Sequence, residues 1–261
     1  MTFDSRTAQE QWDFAADGYA QGQASGFDHD RYEFFGPAHA ALCGDVKGLR
    51  LLDVGCGSRH FSREMAARGA QVTGIDISPR MITLAVEREA AAPLGITYQA
   101  MDATEVSSAF APRSFDMATS CMALQDMPQI GDVLRAVHRT LRPGGRFVAS
   151  IEHPCTNPPF RVWERDGDGR KLWLCIDRYF ERGPREYTWS RWPGAFTTTA
   201  NHAPLEDWFN WIIGAGFQVR AVREPRPEPA TLDARPRLAA ATRVPYFLMF
   251  DLVAGPGTES Q

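Results

Sequence analysis

Apolar runs and helical patterns alternate along the middle of the chain and predict strands and helices in turn. Five short apolar runs have the length of buried strands, at 49–54, 70–76, 96–101, 115–120 and 146–151. Helical patterns separate neighbouring runs, at 58–68, 79–92 and 131–141. Strands that alternate with helices in this way predict β-α-β units and a parallel sheet.

The rest of the chain departs from this pattern. Residues 153–200 are rich in aromatic side chains and predict loops and short hairpins that form a cover. Apolar positions in 205–213 follow the spacing of one helix face, and strands are expected at 217–222 and 244–253. The sequence therefore predicts four parts: a helical cap (1–45), a core (46–152), an aromatic-rich acceptor lid (153–203) and the completion of the core sheet (204–261).

Composition narrows the class of protein. The formal net charge of −4 over 261 residues disfavours nucleic acid as a partner, because phosphate binding favours a basic surface. The sequence has neither an apolar signal segment nor a long apolar run that predicts a membrane span. The cysteines form no Cys-x-x-Cys pair that predicts a metal site. We expect a cytoplasmic protein that binds no membrane and no metal, with a homo-oligomer left open.

A glycine turn follows the first predicted strand. Residues 51–57 run from a strand into Gly55 and Gly57, and Asp76 closes the second strand about twenty residues later. A carboxylate at this place can accept hydrogen bonds from ribose hydroxyls in several nucleotide-binding folds, including those that bind NAD. The NAD fingerprint requires a third glycine where this chain has His60, which disfavours an NAD-dependent oxidoreductase.

Five segments together resemble the class I S-adenosylmethionine-dependent methyltransferases, in particular the small-molecule branch called types 11 and 25. They occur in that family's order and spacing, at 52–57, 74–81, 102–103, 114–116 and 141–147. The resemblance implies a Rossmann-like α/β fold with seven strands in the order 3-2-1-4-5-7-6. It also implies that the last strand is antiparallel, that a helical cap precedes the core, and that an insertion follows the fifth strand.

The same resemblance implies a site for S-adenosylmethionine. The implied cofactor-binding residues are Tyr19, Asp53, Gly55, Gly57, Asp76, Ile77, Met81, Asp102, Ala103, Cys121 and Met122. Gly55 and Gly57 are expected under the methionyl part, Asp76 at the ribose and Asp102 at the exocyclic amine of adenine. Ile77 and Met81 are expected on either side of the adenine, and Cys121 and Met122 beside the sulfonium. Arg59 replaces the family's third loop glycine, which predicts a stiffer loop or a side chain near the methionine carboxylate.

Three side chains are candidates for contact with the acceptor or for removal of its proton. His153 follows the fifth strand, where the sheet opens, and histidine titrates near neutral pH. His202 precedes the helix that starts near residue 204, and Asp126 follows the fourth strand. Each has a structural alternative: a backbone-bonding turn for His153 and His202, and a helix cap for Asp126.

The sequence predicts transfer of a methyl group to a nitrogen or oxygen nucleophile of a small-molecule metabolite, in secondary metabolism. Methyl transfer requires alignment and the exclusion of water, and the aromatic segment is suited to exclude water. A methyltransferase acting on protein or RNA and a non-catalytic regulatory subunit that binds S-adenosylmethionine remain as alternatives. An NAD-dependent oxidoreductase is the least favoured.

Overall fold

A mixed seven-stranded sheet forms the centre of the protein in our computed structural model, which describes residues 3–28, 30–58 and 60–255. The strands, in chain order, are β1 (Arg50–Val54), β2 (Gln71–Asp76), β3 (Thr97–Ala100), β4 (Phe115–Cys121), β5 (Leu141–Glu152), β6 (Phe160–Arg165), β7 (Lys171–Asp177), β8 (Gly183–Trp189), β9 (Phe196–His202), β10 (Phe217–Arg223) and β11 (Phe247–Ala254). The order across the sheet is β3-β2-β1-β4-β5-β11-β10, with β11 antiparallel to both neighbours. The predicted strand order is confirmed, with β10 and β11 as the sixth and seventh strands.

Helices cover both faces of the sheet. They are α1 (Ser5–Ala24), α2 (Gly36–Cys43), α3 (His60–Ala67), α4 (Pro79–Ala91), α5 (Val106–Ala109), α6 (Ile130–Thr140), α7 (Leu205–Gly214) and α8 (Pro229–Ala234). The start of α4 follows from its sequence, because the Ser78 hydroxyl accepts the Met81 N–H and Pro79 takes the first helical position. None of the helices within the described ranges combines the length and apolarity needed to cross a bilayer.

The sheet is buried on both sides, as parallel sheets usually are. Successive residues of a strand face opposite sides, so Leu51 and Leu52 enter different apolar clusters. The cluster containing Leu52 includes side chains of α6 and α7, and the cluster containing Leu51 includes side chains of α2 and α3. Both strand residues are fully buried.

Two strand boundaries differ from the prediction by three residues or more. β11 begins at Phe247 and not at 244, because Pro245 has no N–H for the ladder. β5 begins at Leu141 and not at 146. Leu141 and Arg146 both pair with β4, and the residues between them, predicted as a turn, form a bulge within the strand. Gly144 in this bulge has a φ of 73°, which glycine adopts without strain.

The aromatic segment after β5 forms two antiparallel hairpins, β6–β7 and β8–β9, as predicted for this stretch. At the other end of the chain, a turn of π-helix at Arg31–Phe35 leads directly into α2. The division of the chain into four parts stays a prediction.

The buried His39 side chain connects α2 to the sheet. Its Nδ1 lies 3.0 Å from the Ser150 hydroxyl oxygen and its Nε2 lies 2.7 Å from that of Thr119. Burial lowers the pKa of His39 to about 3, so the imidazole is neutral at physiological pH. This neutral ring holds α2 against β4 and β5.

Candidate functional site

A cleft lies at the carboxyl ends of β1, β2 and β4, where open α/β sheets bind ligands. Counted with its open mouth it encloses about 940 Å³. The structure brings all the predicted cofactor-binding residues into its walls: Tyr19, Asp53, Gly55, Gly57, Asp76, Ile77, Met81, Asp102, Ala103, Cys121 and Met122. Asp126 lines the same cleft. Arg59 lies outside the described residues.

The glycine turn after β1 is shaped by its contacts with β2 and with the segment after β4. The N–H groups of Gly55 and Cys56 both donate to the Ile75 carbonyl at 2.9 Å. A Cβ on Gly55 would lie 2.5 Å from the Ala123 Cβ, so no side chain fits there. Gly57 has a φ of 56°, and a Cβ there would meet nothing within 4 Å. The backbone of Gly57 is therefore open to a ligand in the cleft.

Asp76 closes β2 and faces the glycine turn. Its Oδ2 accepts the Gly57 N–H at 2.8 Å and its Oδ1 accepts the Ser78 N–H at 3.0 Å. Burial raises the pKa of Asp76 to about 6, although both hydrogen bonds act in the opposite direction. Each oxygen keeps a lone pair for a donor from the cleft.

Asp53 lies beneath the same turn and is buried. The Ser62 hydroxyl donates to its Oδ2 at 2.6 Å. Burial raises the pKa of Asp53 to about 7, and the nearby charge of Asp76 acts in the same direction. Asp102 follows β3, and its Oδ1 caps the next helical turn by accepting the Thr104 N–H at 2.9 Å and the Thr104 hydroxyl at 2.8 Å.

Aromatic rings from α1 and the second hairpin form a cover that we call the aromatic roof: Trp12, Tyr19, Trp189, Trp192 and Phe196. Tyr19 stacks on Trp192 with ring centroids 4.9 Å apart, and Trp189 stacks on Phe196 at 5.6 Å. Trp12 meets Tyr19 edge to face at 5.6 Å. Because Trp12 and Tyr19 also line the cleft, the roof covers this side of it.

Helix α1 is held between the core and the second hairpin by polar side chains. The Asp13 carboxylate accepts the Ser78 hydroxyl at 2.5 Å and the Arg80 N–H at 3.0 Å. On the hairpin side, Gln11 exchanges two hydrogen bonds with Thr199, at 3.0 and 2.8 Å. These bonds fix the position of the roof over the cleft.

A second cavity, which we call the chamber, adjoins the cleft and, counted with its open mouth, measures about 770 Å³. The two cavities share five wall residues: Trp12, Tyr19, Arg31, Met122 and Asp126. Further walls of the chamber come from Gln125, Glu152, Tyr187 and Trp189. Met122 has a φ of 59°, an uncommon conformation for a residue with a side chain, at the junction of cleft and chamber.

Asp126 presents a half-buried carboxyl group to both cavities. Within the described part of the chain no group donates a hydrogen bond to this carboxyl. Burial, together with the charges of Glu152 and Asp76, raises its pKa well above the usual value. A carboxyl group of raised pKa that faces a cavity is a candidate for exchanging a proton with a bound molecule.

The two candidate histidines lie elsewhere. His153 is 3% exposed; its Nδ1 accepts the Cys155 N–H at 3.2 Å and its Nε2 donates to Glu224 at 2.9 Å. The Nε2 of His202 donates to the Tyr179 carbonyl at 2.9 Å. Neither ring lines the cleft or the chamber, so the structure does not bring them together with Asp126.

Sequence reasoning missed Arg31 and Glu152. Arg31 is buried, and its guanidinium donates to Asp28 at 2.8 Å, to the Tyr19 hydroxyl at 2.8 Å and to the Cys121 sulfur at 3.8 Å. Glu152 ends β5 immediately before His153 and lines the chamber. The end of β5 indicated a site residue, but the prediction named His153 and not the preceding residue, Glu152.

Comparison with known proteins places the chain in a family. A family model described as a methyltransferase domain matches residues 52–149. A solved S-adenosylmethionine-dependent methyltransferase from Mesorhizobium loti is 34% identical, with a TM-score of 0.70 and coverage of 83% of this chain and 96% of that protein. The chain therefore belongs to the class I S-adenosylmethionine-dependent methyltransferases, and its cofactor is S-adenosylmethionine.

Two other similar proteins match a shorter segment of the chain or share a lower identity with it. The ubiquinone biosynthesis O-methyltransferase of Aeromonas salmonicida is 38% identical over 109 residues, which are 41% of this chain. The match spans 45% of that protein, less than half the length of such curated relatives. The 1,6-didemethyltoxoflavin-N1-methyltransferase of Burkholderia thailandensis, solved with S-adenosylhomocysteine, is 16% identical with a TM-score of 0.54, over 93% of this chain and 88% of that one. At this identity it shows a shared fold.

Proposed function

We infer that the protein transfers a methyl group from S-adenosylmethionine to a nitrogen or oxygen nucleophile of a small-molecule metabolite, in secondary metabolism. The observation that carries this proposal is the contact between the two cavities. The cleft, which holds the predicted cofactor-binding residues, shares the walls formed by Met122 and Asp126 with an aromatic-lined chamber. A compact organic acceptor in the chamber would lie beside the cofactor.

The residues in the cleft suit the chemistry of the cofactor. The open backbone of Gly57 leaves room for the methionyl part, and Asp76 offers lone pairs on both oxygens to the ribose hydroxyls. Asp102 keeps Oδ2 for the exocyclic amine of adenine, because its intrachain bonds use Oδ1. Ile77 and Met81 provide apolar surfaces for the adenine ring.

Arg31 adds a positive charge near the methionyl end of the cleft. It lines the cleft beside Cys121, and its bonds to Asp28, Tyr19 and Cys121 use three of its five N–H donors. A guanidinium in this position is suited to bind a carboxylate. We assign to Arg31 the contact with the methionine carboxylate.

S-adenosylmethionine supplies an electrophilic methyl group when bound. The protein then has to align the acceptor, exclude water and receive a proton. The aromatic roof excludes water, and the shared wall sets the direction of approach. Asp126 accepts the proton of the acceptor, because its carboxyl group faces both cavities and has no other hydrogen-bond donor among the described residues.

Calorimetric titration with S-adenosylhomocysteine tests the cofactor half of this proposal. We expect micromolar binding by the wild type, its loss in Asp76→Ala, and unchanged binding in Asp132→Ala, which removes an exposed carboxylate on α6. NAD should not bind. Wild-type protein that is folded and does not bind S-adenosylhomocysteine would contradict the proposal.

Labelled S-adenosylmethionine tests the transfer itself. Incubation with a panel of small amines, phenols and alcohols should move label to at least one class of acceptor, and Asp126→Asn should slow the transfer. Binding of S-adenosylhomocysteine without transfer to any of these acceptors would favour the regulatory-subunit alternative.

A further inference from the structure

One buried polar atom of the chamber has no partner. Gln125 is 8% exposed, and its Nε2 donates to the Met122 carbonyl at 2.9 Å. Only the amide nitrogen can donate to a carbonyl, so this bond fixes the orientation of the amide. Its Oε1 is buried and has no hydrogen-bond partner among the described residues. Gln125 lines the chamber and also a smaller cavity beside it, and an unpartnered buried oxygen at such a wall requires a donor, which a bound molecule can supply.

Four carboxyl groups line the same chamber, and two of them, Asp28 and Asp30, are paired with Arg31 and Arg237. Asp126 has no intrachain donor among the described residues, as shown above, and Glu152 is joined to the amide nitrogen of Asn157. That nitrogen also donates to the Tyr187 hydroxyl at 2.8 Å. Asn157 and Tyr187 thus hold Glu152 in place, while Asp126 stays available.

The positive charge in the chamber wall is already compensated. Arg31 is paired with Asp28 at 2.8 Å and directs its other contacts to Tyr19 and Cys121. Four carboxyl groups and one guanidinium line the chamber, so its walls present hydrogen-bond acceptors and more negative than positive charge between aromatic surfaces, although Arg161 and Arg185 lie near Glu152. Aromatic faces attract cations, and carboxylates exclude anions.

We propose that the acceptor is an amine whose N–H groups bond to Asp126 and to the Oε1 of Gln125, with Glu152 providing further negative charge and Trp12 and Trp189 flanking the amine. This inference rests on the proposed function and narrows it from nitrogen or oxygen to nitrogen. A hydroxyl group carries one donor, whereas a protonated primary amine carries three and matches this arrangement of acceptors.

The bound ammonium gives one proton to the Asp126 carboxylate, which frees the nitrogen lone pair. The nitrogen forms a bond to the methyl carbon while the carbon–sulfur bond breaks and leaves its electron pair on sulfur. The product is a protonated methylamine, and Glu152 stabilises its positive charge.

Three matched probes test the inference in the presence of saturating S-adenosylhomocysteine: 2-phenylethylamine, 2-phenylethanol and 3-phenylpropanoate. They share a phenyl ring and a two-carbon chain, and differ in the charge and donors of the end group. Calorimetry should show the amine binding at least about tenfold more tightly than the alcohol, as a charged hydrogen bond provides. The carboxylate should not bind.

Matched variants locate the preference. Asp126→Asn and Glu152→Gln keep the shape of each side chain and remove its charge, so each should reduce the preference for the amine by several fold. Asp132→Asn removes an exposed carboxylate outside the chamber and should leave the preference unchanged.

The amine inference is overturned if the alcohol or the carboxylate binds as tightly as the amine, if none of the probes binds, or if both chamber variants keep the full preference. Failure of the proposed function is a separate result. If S-adenosylhomocysteine binds and label moves to hydroxyl acceptors only, the proposed function stands and the amine inference fails. If S-adenosylhomocysteine does not bind the folded wild type, the proposed function fails.

Discussion

The affinity for S-adenosylhomocysteine should fall in acid because of Asp76. Both oxygens of this carboxylate accept backbone N–H bonds, and burial still raises its pKa to about 6. Ribose hydroxyls that donate to the carboxylate favour its ionised form. Protonation of Asp76 therefore competes with the cofactor.

The size of the effect follows from the pKa. With a pKa of about 6, the ionised fraction of Asp76 is about tenfold smaller at pH 5 than at pH 7. The affinity should therefore be about tenfold weaker at pH 5, which corresponds to about 1.4 kcal/mol. The direction is fixed, because protonation removes the form that accepts hydrogen bonds from the ribose. Above pH 7 the affinity should level off.

Calorimetric titrations at pH 5, 6 and 7 measure this change. Asp76→Asn should bind weakly at every pH and show no tenfold change, and the surface variant Asp132→Asn should behave like the wild type. A wild-type affinity that is constant from pH 5 to 7 would refute the reasoning. So would the same pH dependence in Asp76→Asn, which would assign the titration to Asp53, whose pKa is about 7.

Two further predictions concern the roof and the core. In Gly18→Ala the new Cβ would lie 2.1 Å from the Pro193 carbonyl oxygen, so α1 should be displaced from the second hairpin. Calorimetry should then show binding of S-adenosylhomocysteine weakened several fold. Gly214→Ala, with open space around the new Cβ, should bind as the wild type does. Burial lowers the pKa of His39 from 6.5 to about 3. Between pH 6.5 and pH 3 the His39 imidazole therefore binds a proton in the unfolded chain but not in the folded protein, so acid destabilises the fold. From pH 7 to 5 this loss is about 2 kcal/mol in the wild type and absent in His39→Gln, as urea unfolding at both pH values would show; equal losses would contradict the assignment.

The core of the fold was predictable because its signals are local. The strands are buried on both faces and appear as continuous apolar runs, and the glycines with Asp76 mark one end of the sheet. The order of the strands came from the resemblance, and the structure agrees with it. The start of β11 was placed too early because Val244 extends the apolar run, whereas Pro245 prevents regular pairing.

The chamber was only partly predictable, because its parts meet across large separations in the chain. Asp126 follows β4, Glu152 ends β5, and Trp12 lies on α1. No periodicity connects these positions. The expected role of His153 depended on its place at the end of β5, but its ring bonds to Glu224, which is 71 residues away and carries no motif.

The cofactor-binding residues and the chamber residues differ in whether the family match includes them. The matched family segment, residues 52–149, contains the glycine turn, Asp76 and Asp102, so it defines the cofactor site. Glu152 and the aromatic roof lie outside that segment and form much of the chamber. An O-methyltransferase relative that aligns over 41% of this chain therefore shares the cofactor half, and its acceptor need not be shared. Acceptor specificity therefore has to be measured with variants of the chamber, beginning with Asp126, which lines both the cleft and the chamber.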